Sequence, residues 1–125
     1  MMSNPDKGIQ DHQVYNLNRR MDALTSSIKE APLGAEIMEQ CLAIAELLLR
    51  KNISYGNSAI EPVRFLSKAS AEEQILVRID DKLNRLRNQQ EFSGEDTVTD
   101  LVGYLILLQV LRKKAIKDAG LENGL

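Results

Sequence analysis

Acidic side chains at helical spacing are the residues of this sequence best suited to chemistry. Asp96 and Asp100 stand four positions apart, so on a helix their carboxylates lie one turn from each other. Asp96 is explained by the first turn of a helix, where a negative side chain is favoured. Asp100 lies directly before the apolar run 101–111, where an unpartnered carboxylate is costly. We therefore expect a cation or a hydrogen-bond donor beside Asp100.

Three glutamates add carboxylates to an apolar segment earlier in the chain. Glu36, Glu39 and Glu46 follow at steps of three and seven, which places them on one stripe of a helix. Glu36 and Glu39 are either first-turn acids that favour the start of the helix or ligands of a hard cation. Carboxylates from neighbouring helices are what Mg²⁺ or Mn²⁺ prefers, and substrate phosphates commonly share such ions.

A mixed-charge stripe lies between these two acidic segments. Arg78, Asp81, Lys82 and Arg85 are spaced so that they share one side of a helix. One interpretation is a solvated face on which Asp81 pairs with Arg85. The other is a polyphosphate site, because Arg78 and Lys82 are like charges one turn apart and repel each other unless an anion lies nearby.

Apolar periodicity predicts the elements that must position these side chains. Apolar residues recur at steps of three and four, and Ser70 with Glu73 forms a capping box. Asn52 is a helix stop signal, and Ser93 with Asp96 is a start signal. The predicted helices cover about 11–30, 36–51, 71–90 and 93–117.

The fold class follows from these four segments. The long connection 52–69 is a place for ligand contacts and for a short helix at 63–66. No strand-like alternation or internal repeat occurs, so we predict an all-α, four-helix bundle-like domain over residues 1–125. Residues 1–10 are expected to be mobile.

Composition favours a folded, soluble, cytoplasmic protein. Apolar residues make up 43% and charged residues 27%, with a net charge of −2 that disfavours direct binding to nucleic acid. The run 101–111 is shorter than the roughly 20 residues that span a membrane. The polar N-terminus resembles neither a signal peptide nor an anchor. Cys41 is the single cysteine, which fits a reducing compartment.

Several other chemistries are disfavoured. His12 is the one histidine and lies near the N-terminus, so no Ser-His-Asp arrangement is expected. Neither a zinc site nor a Walker-type phosphate loop can be built from this sequence.

Three successive motifs carry a resemblance to a known family. They are Lys51-Asn52-x-x-Tyr55-Gly56, Arg78-x-x-Asp81-Lys82-x-x-Arg85-Leu86 and Asp96-Thr97-x-x-Asp100-Leu101-x-Gly103-Tyr104. In order and spacing they resemble the phage nucleotide-modification-associated domain of the first type, over about residues 36–111. That family is similar to the MazG-like all-α NTP pyrophosphohydrolases, which include the dimeric dUTPases.

The resemblance implies Mg²⁺-dependent cleavage of a (d)NTP to (d)NMP and pyrophosphate, with Mn²⁺ as a substitute. The setting would be phage nucleotide-pool or modified-DNA metabolism in the host cytoplasm. Thr97 stands where the superfamily's second signature has glutamate, and Asp81 is expected to take over a ligand position. The implied ligands of one to three Mg²⁺ ions are Glu36, Glu39, Asp81, Asp96 and Asp100.

Roles beyond metal binding follow from the same resemblance. Glu39, Asp81 and Lys82 are expected to be catalytic. The expected substrate contacts are Lys51, Asn52, Tyr55, Arg78, Lys82 and Arg85. Superfamily members are dimers or tetramers, so we expect a homodimer or homotetramer. The alternative function is a non-catalytic helical module that binds a nucleotide or a protein.

Overall fold

The computed structural model describes residues 7–62, 64–89 and 96–120. These ranges contain helices and connecting segments and no strand, which confirms the all-α prediction. The chain divides into two compact units, Met1–Ala43 and Ile44–Leu125. The helices are α1 (Lys7–Glu30), α2 (Gly34–Tyr55), α3 (Ala71–Arg87) and α4 (Thr97–Asp118).

A tight turn joins α1 to α2 within the first unit. The backbone N–H of Gly34 donates to the carbonyl of Ala31 at 3.0 Å. Gly34 is buried, and a Cβ atom built on it would collide with the backbone of Ile28. The turn therefore needs a residue without a side chain, since backbone atoms cannot move aside at low cost.

The second unit contains the end of α2, and this end differs from the prediction. The helix continues past Asn52 to Tyr55, and Gly56 follows with a φ of 62°. The Asn52 side chain donates to the Gly56 carbonyl at 3.1 Å from within the last turn. Asn52 thus fixes the position of Gly56 by a hydrogen bond, and Gly56 adopts the left-handed conformation that ends the helix.

Helices α3 and α4 pack against each other in antiparallel orientation. Glu72, near the start of α3, pairs with Arg112 near the end of α4, and Lys82 pairs with Asp100 at the opposite end. Between these ion pairs lies the buried apolar cluster of the described chain, with four partly buried residues packed against it. The cluster is Ile75, Ile79 and Leu108, and Leu101, Tyr104, Leu107 and Leu111 pack on it.

Side-chain caps set the starts of both packed helices. The Ser70 hydroxyl accepts a hydrogen bond from the Glu73 backbone N–H at 3.1 Å, as the sequence predicts. Asp96 is the N-cap of α4, where its two carboxylate oxygens accept from the backbone N–H and the hydroxyl of Thr99. These bonds satisfy donors that a helix start would otherwise leave unpaired.

The remaining predicted boundaries shift by a few residues. Helix α1 begins four residues earlier than predicted and α3 ends three residues earlier. The proposed short helix at 63–66 is wrong for residues 64–66, which are not helical. Ser93 lies outside the described residues, and the bundle-like arrangement of all four helices stays a prediction. No described helix combines the length and apolar character needed to cross a bilayer.

The Asp96 cap predicts a pH-dependent stability. Hydrogen bonds from the Thr99 backbone and then from its hydroxyl hold the pKa of Asp96 below its ordinary value of 3.8. The folded-state pKa is the lower one, so the stabilisation is present above the unfolded-state pKa and is lost as pH falls through the folded-state value. Asp96→Ala should therefore lower the melting temperature at pH 7, with a difference that shrinks below about pH 4.

Circular dichroism of thermal unfolding measures this effect. Asp118→Ala is the matched control, because Asp118 lies in the last turn of the same helix, where a negative charge opposes the helix dipole. An equal loss for both variants at pH 7 would contradict the capping role.

Candidate functional site

A cavity of about 440 Å³ lies within the second unit. Its walls come from the second half of α2, the turn that follows, and the facing parts of α3 and α4. This volume is in the range of small-molecule sites. The polar lining residues are Lys51, Asn52, Tyr55, Ser58, Gln74, Arg78, Thr99, Asp100 and Tyr104. The apolar lining residues are Leu47, Leu48, Gly56, Ala59, Ile75, Gly103 and Leu107.

The charged groups on the cavity wall have an excess of positive charge. Lys51 comes from α2, Arg78 from α3 and Asp100 from α4. Lys51 and Arg78 make no hydrogen bond or ion pair with another described residue. Two uncompensated cations on the wall of one cavity favour an anionic ligand.

The Asn52 side chain shapes the rim of this cavity. Its amide nitrogen donates to the carbonyl of Gly56 and to the side-chain oxygen of Asn57 at 3.2 Å. Asn52 was predicted to contact the substrate. In the structure it lines the cavity while its two N–H donors hold the turn, so its carbonyl oxygen is the polar atom that remains for a ligand.

Two tyrosines provide aromatic surface beside the charged groups. Tyr55 is 71% exposed at the end of α2, and Tyr104 is half-buried against the α3–α4 core. Exposed aromatic rings are the surfaces on which nucleobases stack. The same cavity therefore offers cationic and aromatic contacts.

The buried ion pair between Lys82 and Asp100 is the main charged contact that the sequence does not reveal. Lys82 is 8% exposed, and its Nζ lies 3.3 Å from Oδ2 of Asp100. Asp100 lines the cavity and Lys82 does not. The cation expected beside Asp100 is thus Lys82, and the predicted phosphate contact of Lys82 is replaced in this structure by a contact with the carboxylate.

The other predicted residues lie elsewhere in the described chain. Asp81 pairs with Arg85 at 3.4 Å on α3, as the solvated-face interpretation expected, and neither lines the cavity. Asp96 is engaged as a helix cap. Glu36 and Glu39 are exposed on the first unit. The structure brings together Lys51, Asn52, Tyr55, Arg78 and Asp100 of the predicted set.

Thr97 is a further polar residue that the sequence does not mark as buried. It is fully buried in the first turn of α4, and its hydroxyl has no hydrogen-bond partner within the part of the chain that the structure describes. In the motif resemblance noted in the sequence, Thr97 is expected at the position of a glutamate. A neutral, buried hydroxyl at that position cannot supply the negative charge of a glutamate ligand.

The donor set limits how a metal ion could be held. Within residues 7–62, 64–89 and 96–120, no three side chains of His, Cys, Asp or Glu come together as a metal-binding group. The carboxylate on the cavity wall is Asp100. Mg²⁺ is commonly held by one or two carboxylates together with substrate phosphates, so this donor set fits one phosphate-bound ion.

At the cavity, the Leu48 side chain of α2 reaches Gly103 of α4. A Cβ atom built on Gly103 would lie 3.3 Å from Cδ2 of Leu48, which is closer than an ordinary contact. Both residues line the cavity. The wall between the two helices therefore has no room for a larger side chain unless Leu48 moves.

Comparisons with protein-family models, curated proteins and solved structures gave no match to this chain.

The two ion pairs that join α3 to α4 should differ in their contribution to stability. Lys82→Met leaves a partly buried carboxylate without its cation and should cost about 3 kcal/mol of unfolding free energy. Arg112→Met breaks a solvent-exposed pair and should cost about 0.5 kcal/mol. Urea unfolding of both variants measures the difference, and equal costs would contradict the structural importance of Lys82.

Proposed function

We propose that this chain binds a (deoxy)nucleoside triphosphate in the α2–α3–α4 cavity and hydrolyses it to the monophosphate and pyrophosphate with Mg²⁺. The observation that carries the proposal is the set of cavity residues. Lys51, Tyr55, Arg78 and Asp100 come from three separate segments of the sequence and line one cavity. Those segments are the ones in which the chain resembles the phage nucleotide-modification-associated domain.

The chemistry of the cavity supports an anionic, aromatic ligand. Lys51 and Arg78 are positively charged and can donate hydrogen bonds to phosphate oxygens. The Arg78 guanidinium can donate two parallel bonds. Tyr55 and Tyr104 provide ring surface for a base. A nucleotide is the common ligand class that combines these two requirements.

Asp100 would hold the metal ion, together with phosphate oxygens of the substrate. When bound, Mg²⁺ neutralises phosphate charge and makes a coordinated water more acidic. Lys51 and Arg78 would neutralise the charge that develops on the leaving pyrophosphate, where preorganised cations help most. Lys82 would keep the Asp100 carboxylate in place.

The second candidate function is a nucleotide-binding module without catalysis. The observation that favours it is that Asp100 is the carboxylate lining the cavity, while Asp81 and Asp96 are engaged in local contacts. A binding module would use Lys51, Arg78 and the tyrosines in the same way. It would differ by releasing no pyrophosphate.

Hydrolysis assays separate the two functions. Purified protein is incubated with each (d)NTP and Mg²⁺, and pyrophosphate release is measured. Under the enzyme proposal at least one nucleotide is cleaved. Asp100→Asn, shown by circular dichroism to be folded although Lys82 loses its partner, should then reduce turnover by about 100-fold or more while the nucleotide still binds, because the neutral amide is a poor metal ligand.

Asp118→Asn is the matched control for this substitution. It makes the same chemical change on the same helix, at an exposed position that does not line the cavity. Turnover should stay at the wild-type level. Tight nucleotide binding without pyrophosphate release by the folded wild type would favour the binding module.

We also propose that α1 associates with a second copy of the chain. Val14, Leu17, Met21 and Leu24 follow at steps of three and four, and each remains between 42% and 53% exposed. This spacing is the heptad seam by which helices pair with helices. Within the described residues, no side chain of α1 is buried.

The outward side of α4 supports self-association as well. Leu105, Ile106 and Val110 are exposed, and together with Val102 they line a second, shallower hollow of about 360 Å³. Contiguous apolar surface of this kind marks interaction sites in folded proteins. A homodimer or homotetramer would cover it.

Light scattering coupled to size-exclusion chromatography tests the association. The wild type should elute with the mass of two or four chains, and Met21→Glu should shift the mass towards one chain because it places a charge in the seam. Ser26→Glu, on the opposite side of α1, is the control and should leave the mass unchanged. A wild type with the mass of one chain would rule out the association.

A further inference from the structure

We propose that Lys82 excludes free divalent cations from Asp100, so that the metal enters the cavity only together with the phosphates of the ligand. This inference rests on the proposed function, since it concerns the metal of that site. Lys82 would then be a positioning residue, not a group that contacts the substrate. Its role would be to set the order in which ligand and metal bind.

Lys82 and Asp100 differ in their access to the cavity. The Lys82 ammonium lies 3.3 Å from Oδ2 of Asp100, and its side chain is 11% exposed against 27% for Asp100. Asp100 lines the cavity, whereas Lys82 does not. The carboxylate is therefore approached by ligands from the cavity, while its charge is already balanced by a buried cation from α3.

The charges on the cavity wall oppose a free divalent cation. Lys51 and Arg78 add two further cations on the wall, and Asp100 is the carboxylate there. Among the described residues of the wall, a free divalent cation would meet two cations and one carboxylate, whose charge Lys82 already balances. A cation is held by negative charges, and repulsion from like charges in a partly buried site is poorly screened.

A polyphosphate would change the charge inside the cavity. Its several negative charges neutralise Lys51 and Arg78. The phosphate oxygens that remain can then bind a metal ion beside Asp100. Mg²⁺ is commonly bound in this shared manner. The anion therefore binds without metal, and the metal follows or arrives as a complex with it.

The exposed ion pair at the other end of the same two helices shows what distinguishes Lys82. Arg112 also reaches from one helix of the pair to a carboxylate of the other, at 2.7 Å from Glu72. Neither Arg112 nor Glu72 lines the cavity. Arg112→Met is therefore a matched control that removes an α3–α4 ion pair without changing the charge around Asp100.

The test measures metal binding directly, without any turnover. The electron paramagnetic resonance signal of free Mn²⁺ reports Mn²⁺ binding to the wild type, Lys82→Met, Lys82→Gln and Arg112→Met. Calorimetry with inorganic tripolyphosphate in the presence of EDTA reports anion binding without metal. Circular dichroism identifies the variants that are folded.

The expected result is a gain of metal binding on loss of the ammonium. The wild type and Arg112→Met should bind tripolyphosphate in EDTA and bind Mn²⁺ alone only weakly. Lys82→Met and Lys82→Gln should bind Mn²⁺ alone about tenfold or more tightly than the wild type, because the balancing charge is gone. Lys82→Gln keeps a polar side chain and serves if Lys82→Met does not fold.

Three results would overturn the inference. The first is a folded Lys82 variant with unchanged Mn²⁺ affinity. The second is strong binding of Mn²⁺ alone to the wild type, which decides the matter even if neither Lys82 variant folds. The third is a requirement of the wild type for metal before tripolyphosphate binds. Absence of (d)NTP cleavage, with these affinities as expected, would instead reject the hydrolase proposal and leave the role of Lys82 intact.

Discussion

The contact between Lys82 and Asp100 is the interaction on which the second unit of this protein depends. It joins α3 to α4 close to the point where α4 begins, and it holds the carboxylate that lines the cavity. A buried ammonium without this carboxylate would be costly, and so would the carboxylate without the ammonium. Packing of the helix pair and orientation of the cavity wall are therefore coupled through one pair of charges.

The apolar core that accompanies this contact is small. Ile75, Ile79 and Leu108 are the buried apolar side chains of the described residues, and they lie between the two ion pairs that link the helices. Burial of so few side chains contributes modestly to stability, since each contributes only about 1.5–3 kcal/mol before entropy is counted. A chain with this core gains much from covering its exposed apolar faces.

The sequence predicted the local features well because they depend on neighbouring residues. The Ser70 cap needs only short-range geometry and is confirmed, and of the two interpretations of the mixed-charge stripe the local pairing of Asp81 with Arg85 is the one observed. The need of Asp100 for a cation was also predictable, since it follows from the apolar run after it. That Lys82 is this cation was not, because the register of α3 against α4 is decided by packing between distant segments.

Two features of α2 differ from what its sequence alone indicates. The sequence marks Asn52 as a helix stop, yet its side chain holds the turn after the helix from a position inside it. The helix is rich in apolar residues, yet Leu42 and Leu49 are exposed. Periodicity shows that a face is apolar, but not whether the same chain covers it.

The close approach of Gly103 to Leu48 has a consequence for how such a cavity can change. The charged groups that would recognise a ligand lie on other wall positions, so the space available and the chemistry offered are set by different residues. A methyl group added at residue 103 would narrow the chamber without altering a single charge. The volume of the cavity and the charged groups on its wall can therefore change independently. The side chain at residue 103 sets the space beside Leu48, and other residues provide the charges.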